Sequence, residues 1–209
     1  MIFRDFNPAV HDIYKVAELS YDVDYRTFNH VFKSKEEGVE AIKERLIFDF
    51  AEGIDENDLF YVFFDDEDRE EKEIIGMFNG GKGVKYSYLK EILFLFKNLK
   101  FSQALALSKV SFMDYFVLVN VEDDDFYIGE LAICSNQRGK GYGKEALDQL
   151  TQLGKDLNCK RVILDVDFRN DKAYKLYHSK GFRVFNKKSL NFLSKKKREM
   201  KHMELKFLK

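Results

Sequence analysis

Hydrophobic and polar positions follow two different periods along this chain. The opening MIFRDF mixes apolar and polar residues as a half-buried strand does, and Pro8 closes it. Helical spacing follows: Ile13, Val16, Ala17 and Leu19 fall near one face, and Val39, Ile42, Leu46, Ile47 and Phe50 repeat the pattern. LFYVFF and EIIGMF then read as two strands joined by the acidic turn DDEDREEK, which predicts an antiparallel hairpin. After NGGKG the alternation stops. Ile92, Leu95, Phe96 and Leu99 have helical spacing, and Ala104, Leu107, Val110 and Met113 continue it after a break near Lys100. The span 80–120 is therefore expected to be a helical insertion.

The second half is more regular. FYIGELAI is a strand. GYGKEALDQLTQLGKDLN is a helix with an apolar stripe of Tyr142, Ala146, Leu150, Leu153 and Leu157. RVILDVDF is a strand, DKAYKLYHSK a short helix stopped by Gly181, FRVF a third strand and HMELKF a last one. Strand, helix, strand in this order predicts a crossover unit with parallel strands. The basic stretch SKKKREMK reads as a polar loop between the last two strands.

Composition narrows the class. At 209 residues, 45% hydrophobic and with one proline, the chain suits a single domain, 1–209, with a sizeable core. The formal net charge of −1 gives no sign of a nucleic-acid partner, but charge is unevenly spread. Residues 49–73 carry twelve acidic and two basic side chains, and residues 186–209 carry nine basic and two acidic. Between Lys82 and Lys109 stand six lysines and one glutamate. A basic amphipathic segment of this kind suits a membrane surface; the plainer expectation is an insertion packed on its own domain or on a second subunit, with no stable membrane association. Two cysteines without metal-ligand spacing, no signal-like start and no apolar run of spanning length lead us to expect a cytoplasmic protein.

The candidate chemistry sits at QRGKGYGKE, where a strand ends and a helix begins. A helix N-terminus offers unpaired N–H groups and a partial positive charge to an anion. Glycines let backbone approach a ligand, and Arg138, Lys140 and Lys144 add cations. A Walker A loop is ruled out, because Arg138 stands at its first glycine and Glu145 follows Gly143-Lys144. The dinucleotide fingerprint is met only from Gly141 through Gly143 to Ala146, behind a polar loop, with Asp165 about where a ribose-binding acid would stand. The pattern [QR]-x-x-G-x-[GA] is met by Arg138, Gly141 and Gly143.

Here the chain resembles the GNAT N-acetyltransferase superfamily, whose pyrophosphate loop commonly reads R-G-x-G-x-G. The next block, RVILDVDFRNDKAYKLYHSKGF, is similar to the family's strand, asparagine and A-x-x-L-Y-x-x-x-G-F, matched by Asn170, Ala173, Leu176, Tyr177, Gly181 and Phe182 in order. The close match covers Tyr127 to Val184. The resemblance implies an α/β GNAT fold: a mixed central sheet of about six to seven strands flanked by helices, with the insertion before the strand that binds coenzyme A.

It also implies direct transfer of an acetyl group from acetyl-CoA to the amine of a small-molecule or peptide acceptor. Backbone N–H groups of Arg138, Gly139, Lys140, Gly141, Tyr142, Gly143 and Lys144 would hold the pyrophosphate. Leu131 and Ile133 would pair with the pantetheine arm, Asn170 and Ala173 would flank it where two parallel strands splay apart, and a backbone N–H near Ile133 would stabilise the oxyanion. Tyr177 falls at the family's general acid, and Glu130, on the strand beside the expected thioester, is the candidate base. A packed tyrosine with a satisfied hydroxyl and a lysine-paired Glu130 are the ordinary alternatives. Cys134 lacks an evident base for acyl-enzyme chemistry, and His11, His30, His178 and His202 show no metal-ligand pairing. Asp165 and Asp167 share the polar face of their strand, lining the acceptor cleft or, as the plainer expectation, meeting solvent. A possible homodimer and a non-catalytic acyl-CoA sensor or assembly module are further readings.

Overall fold

The computed structural model describes residues 1–68, 70–192 and 196–207. Its frame is one mixed sheet of seven strands: β1 (Ile2–Asp5), β2 (Asp58–Phe64), β3 (Gly76–Lys82), β4 (Asp125–Ile133), β5 (Arg161–Asp167), β6 (Arg183–Phe192) and β7 (Lys196–Lys206). The order across the sheet is β1-β2-β3-β4-β5-β7-β6. All neighbours run antiparallel except β4 and β5, which are parallel, as the crossover pattern predicts.

Helices cover both faces. On one lie α1 (Ile13–Val23), α3 (Lys35–Glu52), α4 (Tyr88–Asn98) and α5 (Phe101–Val117), joined by the short α2 (Tyr25–Val31), for which the sequence pattern carries no signal. On the other lie α6 (Tyr142–Asp156) and α7 (Asp171–Ser179). Alternation sorts each strand between the layers: Val62 and Phe64 face the first, Phe63 the second. The stripe of α6 puts Ala146, Leu147 and Leu150 in the second layer with no exposed surface, each leucine contributing about 2 to 3 kcal/mol of burial. In the 80–120 segment, Lys100 caps α5 at the expected break, and Leu95, Ala104 and Leu107 pack into the first layer.

Three expectations change. The second strand of the hairpin begins at Gly76 rather than Glu73 and continues through the glycines to Lys82. Crowding explains that composition: a Cβ at Gly81 would fall 1.8 Å from the Asn57 carbonyl oxygen. The stretch read as a polar loop, SKKKREMK, is mostly strand, since Lys196 to Lys201 belong to β7; its Ser194 and Lys195, like Arg69 of the acidic turn, lie outside the described residues. Charge hid the alternation there. Arg198 occupies a buried position that an apolar residue would normally fill, because Asp24 and Asp114 meet it at 2.6 Å each. Finally, Asp165 does not meet solvent. Its side chain is enclosed, accepting from the Tyr127 hydroxyl at 2.9 Å and the Val119 N–H at 3.2 Å.

Candidate active site

The parallel pair comes apart partway along. β4 pairs with β5 only from Asp125–Arg161 to Ile128–Leu164, while β4 stays on β3 to Ile133 and β5 stays on β7 to Asp167. A bulge marks the divergence: Asn79 faces Glu130 and Gly80 faces Ile128, so Gly129 is the extra residue on β4. The shift also reverses the faces. Phe126 and Ile128 point to the α6 layer, and beyond the bulge Leu131 and Ile133 pack there, whereas Ala132 and Cys134 join the α1 layer. The edge of β4 past Ile128 is thus freed from its parallel neighbour, and it leads into the glycine loop.

That loop begins with a single 3-10 turn, Ser135–Gln137, and ends at the first turn of α6. Gly139 (φ 85°) and Gly141 (φ 100°) adopt the left-handed backbone that L side chains avoid, and a Cβ on either would meet nothing within 4 Å. The space above them is open. Among the described residues, the N–H groups from Arg138 to Gly143 donate to no protein acceptor, whereas that of Lys144 is taken by the Gly141 carbonyl at 2.9 Å. Six donors leading into the positive end of a fifteen-residue helix are therefore without a protein partner among the described residues. The surrounding side chains hold the loop in place. Arg138 Nε donates to the Ile133 carbonyl at 2.9 Å, Lys140 Nζ to Gln137 Oε1 at 2.7 Å, and the Tyr142 hydroxyl to Asp65. The Asp65 carboxylate holds the Tyr142 hydroxyl protonated, its pKa pushed up to about 12.

Helix α7 closes the other side. Asn170 caps it, its Oδ1 accepting from Ala173 N–H at 3.2 Å, and its NH2 group has no acceptor among the described residues. A Cβ on Gly143 would lie 3.5 Å from Leu176 and 3.9 Å from Ile133, so the starts of α6, α7 and the freed end of β4 converge. One residue beyond Leu176, Tyr177 is buried, and burial pushes its hydroxyl up to about 12. Its ring is tilted against that of Phe182, with 6.0 Å between ring centres. Its hydroxyl donates to no group among the described residues and is not one of the enclosed polar atoms, so it opens onto accessible space.

Glu130 lies on the opposite face. Its Oε1 accepts from the Ser20 hydroxyl of α1 at 3.0 Å, not from a lysine. Burial raises its pKa, opposed by the Ser20 bond and by Arg45 of α3. Ser20 and Arg45 escape sequence reasoning because they stand 110 and 85 positions from Glu130 along the chain; Ser20, a polar residue on the apolar side of α1, is the one local trace. Cys134 is buried with its thiol on the Ile74 carbonyl at 3.2 Å and its pKa raised by burial, the reverse of what a nucleophile needs. No cluster of three or more metal-ligating side chains occurs among the described residues, and no helix there is long and apolar enough to cross a membrane.

The fold has known counterparts. An N-acetyltransferase from Staphylococcus aureus Mu50 superposes with a TM-score of 0.63 at 18% identity, covering 98% of this chain and 100% of that one. The spermidine N-acetyltransferase from Vibrio cholerae, solved with CoA and spermine, gives 0.58 at 15% identity over 98% and 94%. The ribosomal-protein-alanine N-acetyltransferase from Brucella melitensis gives 0.55 at 13% identity over 99% and 100%. At these identities the likeness concerns the fold. The sequence itself matches the model of the Acetyltransferase (GNAT) family over residues 23–182, a span that contains the diverging strands, the glycine loop and α7. This chain belongs to the GNAT acetyltransferase family, whose members move an acetyl group from acetyl-CoA to an amine.

Proposed function

We propose that the chain is an N-acetyltransferase acting on a primary amine, with the freed edge of β4 and the glycine loop as its acetyl-CoA site. The observation that carries this is the row of unpaired N–H groups from Arg138 to Gly143, continuous with a strand edge that has lost its neighbour. Those N–H groups hold the pyrophosphate, with Lys144 contributing charge rather than its N–H. The backbone of Leu131 and Ile133 pairs with the pantetheine arm, and the free NH2 of Asn170 meets it from α7, where Ala173 leaves room. Acetyl-CoA supplies an activated acyl group.

The protein's share of the chemistry is two proton transfers and one charge. Glu130, whose raised pKa makes it a stronger base than an ordinary glutamate, takes the proton from the acceptor ammonium, directly or through water. A backbone N–H near Ile133 stabilises the oxyanion. Tyr177 stays protonated at neutral pH and gives its proton to the departing thiolate. Spermidine is the first acceptor to test, because the similar Vibrio protein is a spermidine N-acetyltransferase and the acidic tract at 49–73 favours a cation through long-range steering.

Isothermal titration with CoA and acetyl-CoA tests the site. Micromolar one-to-one binding, lost in Gly141→Asp, is expected; binding that survives this substitution refutes the loop as the pyrophosphate site. Binding without turnover across a broad amine panel would instead mark an acyl-CoA sensor.

A further inference from the structure

The insertion packs on its own domain through one side of each of its helices. In α4 the inward side carries Leu95, while Leu89 and Leu93, each 72% exposed, and Phe96 form an outward stripe at helical spacing. α5 repeats this. Ala104, Leu107 and Val110 are buried, and Phe101 (72% exposed), Leu105, Phe112 and Phe116 run along the opposite side. The two stripes adjoin, since the rings of Phe96 and Phe101 lie 5.7 Å apart at one end of the hairpin, and Tyr88 lies 6.2 Å from Phe112 at the other.

We infer that this α4–α5 hairpin is the surface through which two copies of the chain pair. Area is the first argument. Taking about 200 Å² for each such side chain when fully exposed, the seven residues present roughly 750 Å². The largest apolar patch on a monomer is usually about 300 to 600 Å², whereas each partner in a standard stable interface contributes about 800 Å². Shape is the second. Two antiparallel helices set against their twin across a two-fold axis form a four-helix layer, in which every residue meets a surface identical to its own.

Charge separates this partner from a membrane. An anionic lipid surface would need free cations around the patch, but Lys85 is paired with Asp123 at 2.6 Å, Lys97 with Glu52 at 2.7 Å and Lys100 with Glu44 at 3.4 Å. Lys82 is turned to the Leu157 carbonyl. Of the insertion's six lysines, Lys90 and Lys109 are the two with no carboxylate or carbonyl partner among the described residues, and at about 1 kcal/mol for each basic residue near an anionic surface they make a weak hold.

Sedimentation equilibrium between about 1 and about 100 μM, the range in which a standard-sized interface of modest affinity is read, tests the inference. The full chain is expected to sediment at twice its 24.7 kDa mass. Leu93→Glu and Phe101→Glu should each sediment as monomers. Val10→Glu, a control at a 74% exposed residue on the loop after β1, should remain dimeric. CoA titration and circular dichroism on the same samples show whether each variant is folded, and the wild-type mass stands independently of them. A monomeric wild type at the top concentration, a dimer that survives both hairpin substitutions, or co-sedimentation of monomer with phosphatidylserine vesicles would overturn the inference. None of these readouts depends on acetyl transfer.

Discussion

Replacing Asp114 by asparagine should make the protein more stable at pH 8, and by less than about half as much at pH 5. Asp114 of α5 shares Arg198 with Asp24, each at 2.6 Å, so one cation stands between two carboxylates in a partly dry site. Burial is the main cause of the Asp114 pKa rising from 3.8 to about 7, with Arg198 opposing it and Asp24 and Asp165 adding to it. The sign follows from proton counting. Between pH 3.8 and about 7 the folded protein binds this proton more than the unfolded chain does, so stability falls as pH rises through that window. With about 1.4 kcal/mol for each tenfold change in proton affinity, the penalty has a ceiling of about 4 kcal/mol at pH 8 and below about 2 at pH 5. The Asp114 side chain is 22% exposed, so water screens part of this, and a gain of about 1 to 3 kcal/mol at pH 8 is the expected result. Asparagine keeps a carbonyl for Arg198 and leaves a one-to-one pair with Asp24. Urea unfolding of both proteins at the two pH values, with unchanged slope, measures the difference. An equal difference at both pH values, or a less stable variant at pH 8, would show that the Asp114 proton is not linked to folding in this way.

Other expectations concern chemistry and packing. Tyr177→Phe should lower kcat by about 10²-fold or more, with CoA affinity in titration unchanged; an unaltered kcat removes Tyr177 from the mechanism. Since Glu130 acts only when ionised and its pKa is raised, the wild-type rate should climb with pH through an acid limb. Glu130→Gln should be slow and lack that limb, so a pH–rate profile identical to wild type would rule Glu130 out as base. Leu150→Ala, at a position with no exposed surface on α6, should cost about 2 to 5 kcal/mol in urea unfolding; a loss below about 1 would show that the second layer collapses around the cavity.

Much of this protein is determined by residues close together in sequence. The apolar stripe from Tyr142 to Leu157, the cap at Asn170, the stop at Gly181 and the parallel pair joined by α6 all follow from local period and turn chemistry. So does the glycine loop, whose left-handed residues announce their backbone by lacking a Cβ. Tertiary structure decided what contacts across the sheet decide. The bulge at Gly129 turned Glu130 toward Ser20, 110 positions away, and the loss of pairing after Ile128 opened the edge of β4. Arg198 became a buried strand residue because Asp24 and Asp114 arrive from two other elements to hold its charge. Asp165 left solvent for the same reason, through Tyr127 and Val119. A polar side chain reads as exposed until its partner is known, and that partner is chosen by the fold, not by the neighbours in sequence.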